Sequence, residues 1–413
     1  MINIKKSQLE SGITVVTEGI EGVRSISLGF WVVVGSRNEN KQEKGISHFI
    51  EHTLFKGTKK RNAKEIARAL ESKGATLDAF TSKEITCFYS RGLDTHLKIA
   101  TDVIADLITN PLFPEEELKK EIGVVTEEIK DSEDSPERHI FDLLFKKIFT
   151  KHPLANSVLG EKKDVEKITR KKVSSFFKKW YNPERIVVTA SGYLQHNELL
   201  GYLEPYFKPK ETSNDSFFTP VKNYYKPFSY TFKKKGLFQA HLILATTVFD
   251  YNDPRRYPLL VLDTILGDGM SSILFQKVRE EKALVYQIFS FADFFSDAGI
   301  FGVYLACNPV KIENAKSTVI KEFKKLVKKG LTKKVVSEAK VRLKAKLLIG
   351  QESTSNRMMR LGRSEIYRRE NRTIDEIIAS INRVKTGDVN DVIKDVLRED
   401  KFSFVYFGDF RSV

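Results

Sequence analysis

The hydrophobic and polar positions of this chain predict the same succession of elements twice. An apolar extended run opens each half, "SISLGFWVVVGSRNE" at 25–39 and "AHLILATTVFDYND" at 240–253. A helical pattern follows, "GISHFIEHTLFKG" at 45–57 and "RYPLLVLDTILGDG" at 256–269. Next come segments rich in branched and aromatic residues, as strands are, at 75–93 and 284–307. Apolar residues at three- and four-residue spacing then predict long helical segments, about 95–110 and 114–148 in the first half and 310–329 and 332–370 in the second. Each half closes on a further helix and a strand, "RIVVTASG" and "FSFVYFGD".

Between the halves, 208–227 reads "KPKETSNDSFFTPVKNYYKP", a polar segment with three prolines that predicts a linker. The expected architecture is α+β: two homologous domains, 1–207 and 228–413, each a mainly antiparallel sheet packed by helices. At 413 residues the chain exceeds what one hydrophobic core usually serves.

Composition narrows the function classes. Hydrophobic residues make up 41% and charged residues 30%, as in soluble globular proteins. No apolar run reaches the roughly 18–20 residues of a membrane span, and the first residues lack the apolar core of a signal peptide. The cytoplasm is the expected compartment. Cys87 and Cys307 stand alone, without the Cys-x-x-Cys of a zinc finger or redox dithiol. The net charge of +15 raises nucleic acid as a partner, but the lysines are interleaved with glutamates and no recognition motif accompanies them. Neither nucleic acid nor a membrane is expected as a partner.

The candidate chemistry lies in "GISHFIEHTLFKGT", residues 45–58, which holds two of the chain's seven histidines. On a helix, His48 and His52 share a face, and Glu51 stands beside them. Two helical imidazoles with a carboxylate able to take a proton from water are what zinc hydrolysis requires. A surface pair or two core histidines fit the same spacing. A third protein ligand is normally needed. The downstream segment "KKEIGVVTEEIKDSED" offers Glu121 and Glu128, two turns apart on one face, and Glu127, rotated by about 100°. Spacing alone does not choose among these carboxylates, and an ordinary acidic surface helix also fits.

"GSRNE…KGISHFIEHTLFKGT" followed by the Glu-rich helix closely resembles the pitrilysin-like M16 (inverzincin) metallopeptidases, in their bacterial processing-peptidase-like branch. The resemblance spans essentially the whole chain, twofold repeat included. It implies the M16 or LuxS-like fold and one zinc ion per chain. It also implies a His-x-x-Glu-His motif whose third ligand follows after about 75 residues. That count leads from His52 to Glu128, and Glu121 then matches the family's accessory glutamate. Glu51 takes the role of general base. The resemblance places a peptide substrate along the edge of the first domain's sheet, at "LDAFTSKE", 77–84, with Ala79 and Phe80 against it. The family usually has Asn where this chain has Asp78. Phe55 matches an aromatic beside the cleaved bond in relatives, and equally suits a core position.

Laid over the first half, the second puts Leu259, Leu262 and Asp263 where His48, Glu51 and His52 stand, and Lys346 near Glu128. A second metal site is not expected. "GMSSILFQKVREEKALVYQIFSF" resembles the family stretch whose Arg and Tyr reach the substrate; here these are Arg279 and Tyr286. Without the resemblance they read as a surface Arg and a half-buried Tyr. The chain has two repeat units, whereas long relatives have four. The expected activity is therefore that of a zinc endopeptidase acting on unfolded peptides in a closed chamber formed by a homodimer. A heterodimer with a metal-less paralogue is the alternative assembly, and a non-catalytic or regulatory subunit the alternative function.

Overall fold

A computed structural model describes residues 3–208, 217–222, 225–368 and 370–410. Of the expected linker, residues 209–216 and 223–224 lie outside the described residues. Along the chain the first half runs β1 (Asn3–Gln8), β2 (Thr14–Gly19), β3 (Ser25–Val32), α1 (Ile46–Leu54), α2 (Ala63–Glu71), β4 (Thr76–Thr81), β5 (Thr86–Leu93), α3 (Leu97–Thr109), α4 (Glu115–Asp134), α5 (Pro136–Ile148), α6 (Lys162–Val165), α7 (Arg170–Trp180), β6 (Ile186–Gly192) and α8 (His196–Leu203). The second runs β7 (Ser229–Lys233), β8 (Ala240–Val248), α9 (Arg256–Leu266), β9 (Gln287–Phe294), β10 (Gly299–Cys307), α10 (Ile312–Lys329), α11 (Lys333–Gly350), α12 (Thr354–Arg368), α13 (Ile374–Arg383), α14 (Thr386–Val396) and β11 (Ser403–Gly408).

The chain divides into two compact units that interleave in sequence. Unit 1 comprises 1–131, 151–219 and 350–373; unit 2 comprises 132–150, 220–349 and 374–413. Each of the long helical segments expected at 114–148 and 332–370 breaks in two. Pro136, which has no N–H to continue a helix, starts α5 after Ser135 turns extended. The second piece of each segment joins the sheet of the other half: α5 packs on β8 and β11 in unit 2, and α12 packs on β2, β3 and β6 in unit 1.

Unit 1 holds a six-stranded sheet in the order β1-β2-β6-β3-β5-β4, antiparallel except for β2 with β6. Because helices cover both faces, β3 is apolar almost throughout and buried from Ile26 to Val32. One face meets α1, α2 and α3 in the main core, with Phe30, Phe49, Ile50 and Phe88 fully buried. The other meets α12, where Trp31 and Met358 pack together. That approach is close: a side chain on Gly362 would overlap the Trp31 ring, and a Cβ on Gly29 would lie 2.5 Å from the Met358 sulfur. Glu18, fully buried, is matched by Arg357 at 2.6 Å and by Arg360.

Unit 2 repeats this plan with five strands, β7-β11-β8-β10-β9, antiparallel except for β7 with β11. Its order is that of unit 1 without the outermost β1. The core is built from α9, α10 and α14 against β8 and β10. No helix among the described residues is long and apolar enough to cross a membrane.

Candidate metal centre

The centre is built on α1. Its first N–H groups need acceptors that the helix does not supply, and the N-cap residue, Gly45, has no side chain to offer one. Gly45 is required there by its left-handed backbone, φ +81°, and by Leu159 O, which would lie 2.6 Å from a Cβ. Glu39 does the capping from a distance: its two oxygens accept from Gly45 N at 2.8 Å and Ser47 N at 2.9 Å. Burial pushes its carboxyl up to about 8, against the pull of these donors. The loop carrying Glu39 is fastened by Arg37, which is buried with Glu84 of the β4–β5 turn at 2.6 Å and donates to Thr219 O at 2.6 Å.

One turn into α1, His48 and His52 face the same way, their ring centroids 4.6 Å apart. Glu128 on α4 lies opposite, its Oε2 3.6 Å from Nε2 of each histidine. One ligand atom from each residue falls within 4.8 Å of the others, the single such group of His, Cys, Asp or Glu among the described residues. Tetrahedral zinc with bonds of 2.0–2.1 Å separates its ligands by roughly 3.3 Å. The donor set therefore suits a zinc ion in number, chemistry and spacing. Glu127, by contrast, is exposed and paired with Lys130 at 2.6 Å.

The surroundings prepare the donors. Glu121, buried on α4, meets His52 Nδ1 at 3.1 Å and Lys56 Nζ at 2.6 Å. Occupying Nδ1 leaves Nε2 of His52 for a metal. That hydrogen bond is the main cause raising the His52 pKa, ahead of burial, which lowers it. Burial works to raise Glu121, but its bonds to His52 and Lys56 outweigh it and the carboxyl is lowered. Burial, followed by repulsion from His52, drives His48 down to about 3, so it is neutral at ordinary pH, the form a metal ligand needs. Its Nδ1 is buried without a hydrogen-bond partner among the described residues.

Glu51 sits on the same turn, 9% exposed. Thr81 on β4 donates to its Oε2. Burial is the chief cause raising its carboxyl, with Glu128 and Asp78 adding to it and Thr81 and His52 opposing. A carboxylate held away from water with a raised pKa is suited to accept a proton.

The remaining expected site residues take these positions. Ala79 and Phe80 lie on β4, the edge strand of unit 1's sheet. Phe80 packs edge-on against Trp31, centroids 5.9 Å apart. Phe55 caps the C-terminus of α1, half-buried against the main core and 6.1 Å from the Phe88 ring. Arg279 and Tyr286 belong to unit 2. Arg279 lies on a π-helical turn, Phe275–Glu280, its guanidinium 4.7 Å from the Phe275 ring. Tyr286 is 59% exposed just before β9. Glu39, Lys56 and Thr81 were not anticipated. Glu39's one sequence signal is a glycine at the helix start with a carboxylate six residues upstream.

Comparisons with known proteins give the chain's family and its fold. Residues 14–162 match the family model described as Insulinase (Peptidase family M16), and residues 167–343 match Peptidase M16 inactive domain. An "uncharacterized zinc protease" of Streptomyces coelicolor is 36% identical, covering 95% of this chain and 87% of its own. Another, YmxG of Bacillus subtilis, is 35% identical over 96% of each chain. Among solved structures, a protease from Helicobacter pylori superposes with a TM-score of 0.92 at 22% identity, covering 99% of this chain and 100% of its own. A Pseudomonas fluorescens structure titled "peptidase M16 inactive domain" gives 0.90 at 20% identity, covering 99% and 98%. These two likenesses speak for the fold.

Proposed function

The chain belongs to peptidase family M16, and we propose that it is a zinc-dependent endopeptidase that cleaves unfolded peptides. The observation that carries this reading is the convergence of His48, His52 and Glu128 at zinc-ligand spacing with the buried Glu51 beside them. A zinc ion held by those three residues supplies Lewis acidity toward the scissile carbonyl and acidifies a water molecule. Glu51 accepts the water's proton and delivers it to the leaving amine. Thr81 holds one Glu51 oxygen in place, which leaves the other for the proton. Glu121, braced by Lys56, orients the His52 ring. The edge strand β4 aligns an extended peptide through its main chain near Ala79, and Phe55 borders the bound chain beside the cleaved bond. Arg279 and Tyr286 offer a guanidinium and a phenol to the peptide carbonyl and to the oxyanion formed on hydrolysis.

The experiment that tests the activity is hydrolysis of an unstructured peptide by the zinc-loaded protein, lost with a chelator, restored by zinc, and absent in Glu51→Gln with zinc retained. Near-normal turnover by that variant removes Glu51 from the base role.

The assembly in this reading is a homodimer, the commonest closed oligomer, in which the C-terminal half of each protomer faces the N-terminal half of its partner. A protein lacking Glu51 and a protein lacking Arg279 and Tyr286 are then each inactive, and exchanging their subunits restores activity. In one arrangement of the hybrid an intact metal site meets an intact Arg/Tyr pair. No recovery on mixing, or a monomeric mass at full activity, overturns the shared chamber.

A further inference from the structure

Among the described residues the one hydrogen-bond partner of the Glu51 carboxylate is the Thr81 hydroxyl. The last torsion of a glutamate is broad, so this donor decides how the carboxylate is aimed. Thr81 ends the edge strand β4 and is only half-buried. Rotation about χ1 exchanges its hydroxyl and its methyl, and its neighbours decide which of the two faces Glu51. The turn after β4 is closed by Ser82 N donating to Ile85 O at 2.8 Å. Hydrogen-bonded pairs alternate along an antiparallel ladder, so Thr81 and Thr86 face each other as a non-hydrogen-bonded pair, the arrangement in which side chains are closest. Their hydroxyl oxygens are 3.5 Å apart. Thr86 is fully buried and gives its own proton to Val34 O at 3.0 Å. A hydroxyl has a single proton, so Thr86 turns only lone pairs toward Thr81. The Thr81 proton then has a long contact to a neutral oxygen and a shorter one to a carboxylate, and the charged acceptor takes it. The Tyr181 phenol belongs to the same buried group: burial raises its pKa first, Glu51's charge adds to this, and Thr86 opposes.

We infer that Thr86 is a positioning residue for the general base: its hydroxyl, pinned by the Val34 carbonyl, holds the Thr81 hydroxyl on Glu51. An oxygen facing Thr81 from β5 makes that side of the Thr81 side chain a polar one. With a methyl group there instead, as in valine, the Thr81 methyl gains an apolar neighbour, and its hydroxyl turns to water and away from Glu51. The bond to Val34 O keeps Thr86 from presenting its own methyl, because hydroxyl and methyl share one χ1. Val34 lies just past the end of β3. The row Val34, Thr86, Thr81, Glu51 thus ties the end of β3, the β4–β5 hairpin and α1 together at the base. This assignment rests on the peptidase reading for the reaction that the base performs, and adds to it the residue that keeps the base aimed.

The test compares Thr86→Val, which removes the hydroxyl at nearly constant volume, with Thr86→Ser, which keeps it. With the zinc-loaded protein and an unstructured peptide, Thr86→Val is expected to lower kcat by about 2- to 13-fold, the worth of one hydrogen bond, with KM and zinc content unchanged. Thr86→Ser keeps kcat within about twofold of the unaltered protein. Thr81→Val lowers kcat at least as much as Thr86→Val, and combining the two loses nothing further, because Thr86 acts through Thr81. A Thr86 that only supports the fold gives losses that multiply, or an earlier unfolding with kcat unchanged, and either result overturns the assignment. Should Thr86→Val fail to fold, Thr86→Cys, whose thiol is a weak donor and a weak acceptor, replaces it in every measurement. Crystal structures of the same proteins separate the two readings. The Thr81 hydroxyl is expected on Glu51 in the unaltered protein and in Thr86→Ser, and turned away from it in Thr86→Val. That pattern without hydrolysis by the unaltered protein upholds Thr86 and sinks the peptidase. Hydrolysis by the unaltered protein with the Thr81–Glu51 contact intact in Thr86→Val sinks Thr86 alone.

Discussion

Helices α1 and α9 occupy the same place in their respective units and carry different chemistry. Each lays an apolar face on its own sheet, with Ile46, Phe49, Ile50 and Leu54 fully buried in one and Leu259, Val261, Leu262 and Leu266 in the other. Where α9 has Leu259 and Leu262 in the core, α1 has His48 and Glu51, 6% and 9% exposed. Where α1 has His52, α9 has Asp263; where α4 brings Glu128, α11 brings Lys346, which pairs with Asp268 at 3.1 Å. Unit 2 thus shows that the helix-on-sheet packing stands on leucines. A buried Leu contributes about 1.5–3 kcal/mol through burial; a buried carboxylate costs free energy unless partnered. The polar set on α1 is therefore not explained by packing.

The largest effect that would sharpen this contrast is on catalysis. Glu51→Gln should lower peptide hydrolysis by about 10²–10⁴-fold, the usual share of a general base, while zinc content stays near one per chain. Thermal unfolding should be no earlier, since a buried carboxylate becomes a neutral amide. A large loss of stability would mean that Glu51 is structural after all.

Zinc retention separates the glutamates of α4. Glu121→Gln, which acts through His52, should weaken zinc binding by about 10–100-fold, Glu128→Gln by more, and Glu127→Gln hardly at all. A competition titration against a chromogenic chelator reads all three. Equal loss in the Glu127 variant would move the ligand by one residue.

The smallest effect is on the α9 side. Burial lifts the Asp263 carboxyl from 3.8 to about 6. An acid raised in the folded state makes ionisation unfavourable there, so its cost to stability is absent below about pH 4 and fully present above pH 6. Asp263→Asn should therefore stabilise the protein by about 1–3 kcal/mol at pH 7 and by almost nothing near pH 3.5. Denaturant unfolding at both pH values checks this, and an equal gain at each would mean that the aspartate's charge is not the source.

Much of this was legible in the chain itself. Periodicity sets helix against strand because the backbone geometries differ, 3.6 residues per turn against two, and it did so for α1, α3, β3 and β10. The i, i+4 histidines and the seven-residue step from Glu121 to Glu128 are helical facts, decided within one element. They were readable before any tertiary contact was known.

Other features depend on which surfaces meet. The amphipathic patterns of α5 and α12 say that each has an apolar face, but not that each covers the sheet of the other half. Any apolar face will serve a helix, and the choice follows from chain path and from fits such as Gly29 and Gly362 against Met358 and Trp31. Glu39 on the start of α1, Thr81 on Glu51 and Lys56 on Glu121 are polar contacts whose partners lie 6 to 65 residues apart. A hydrogen bond is short and directional, so sequence spacing carries no trace of it beyond a single turn or hairpin. The same holds for the open edge of β4. A strand's composition shows that it can pair, and only the finished sheet leaves one side of it without a neighbouring strand among the described residues.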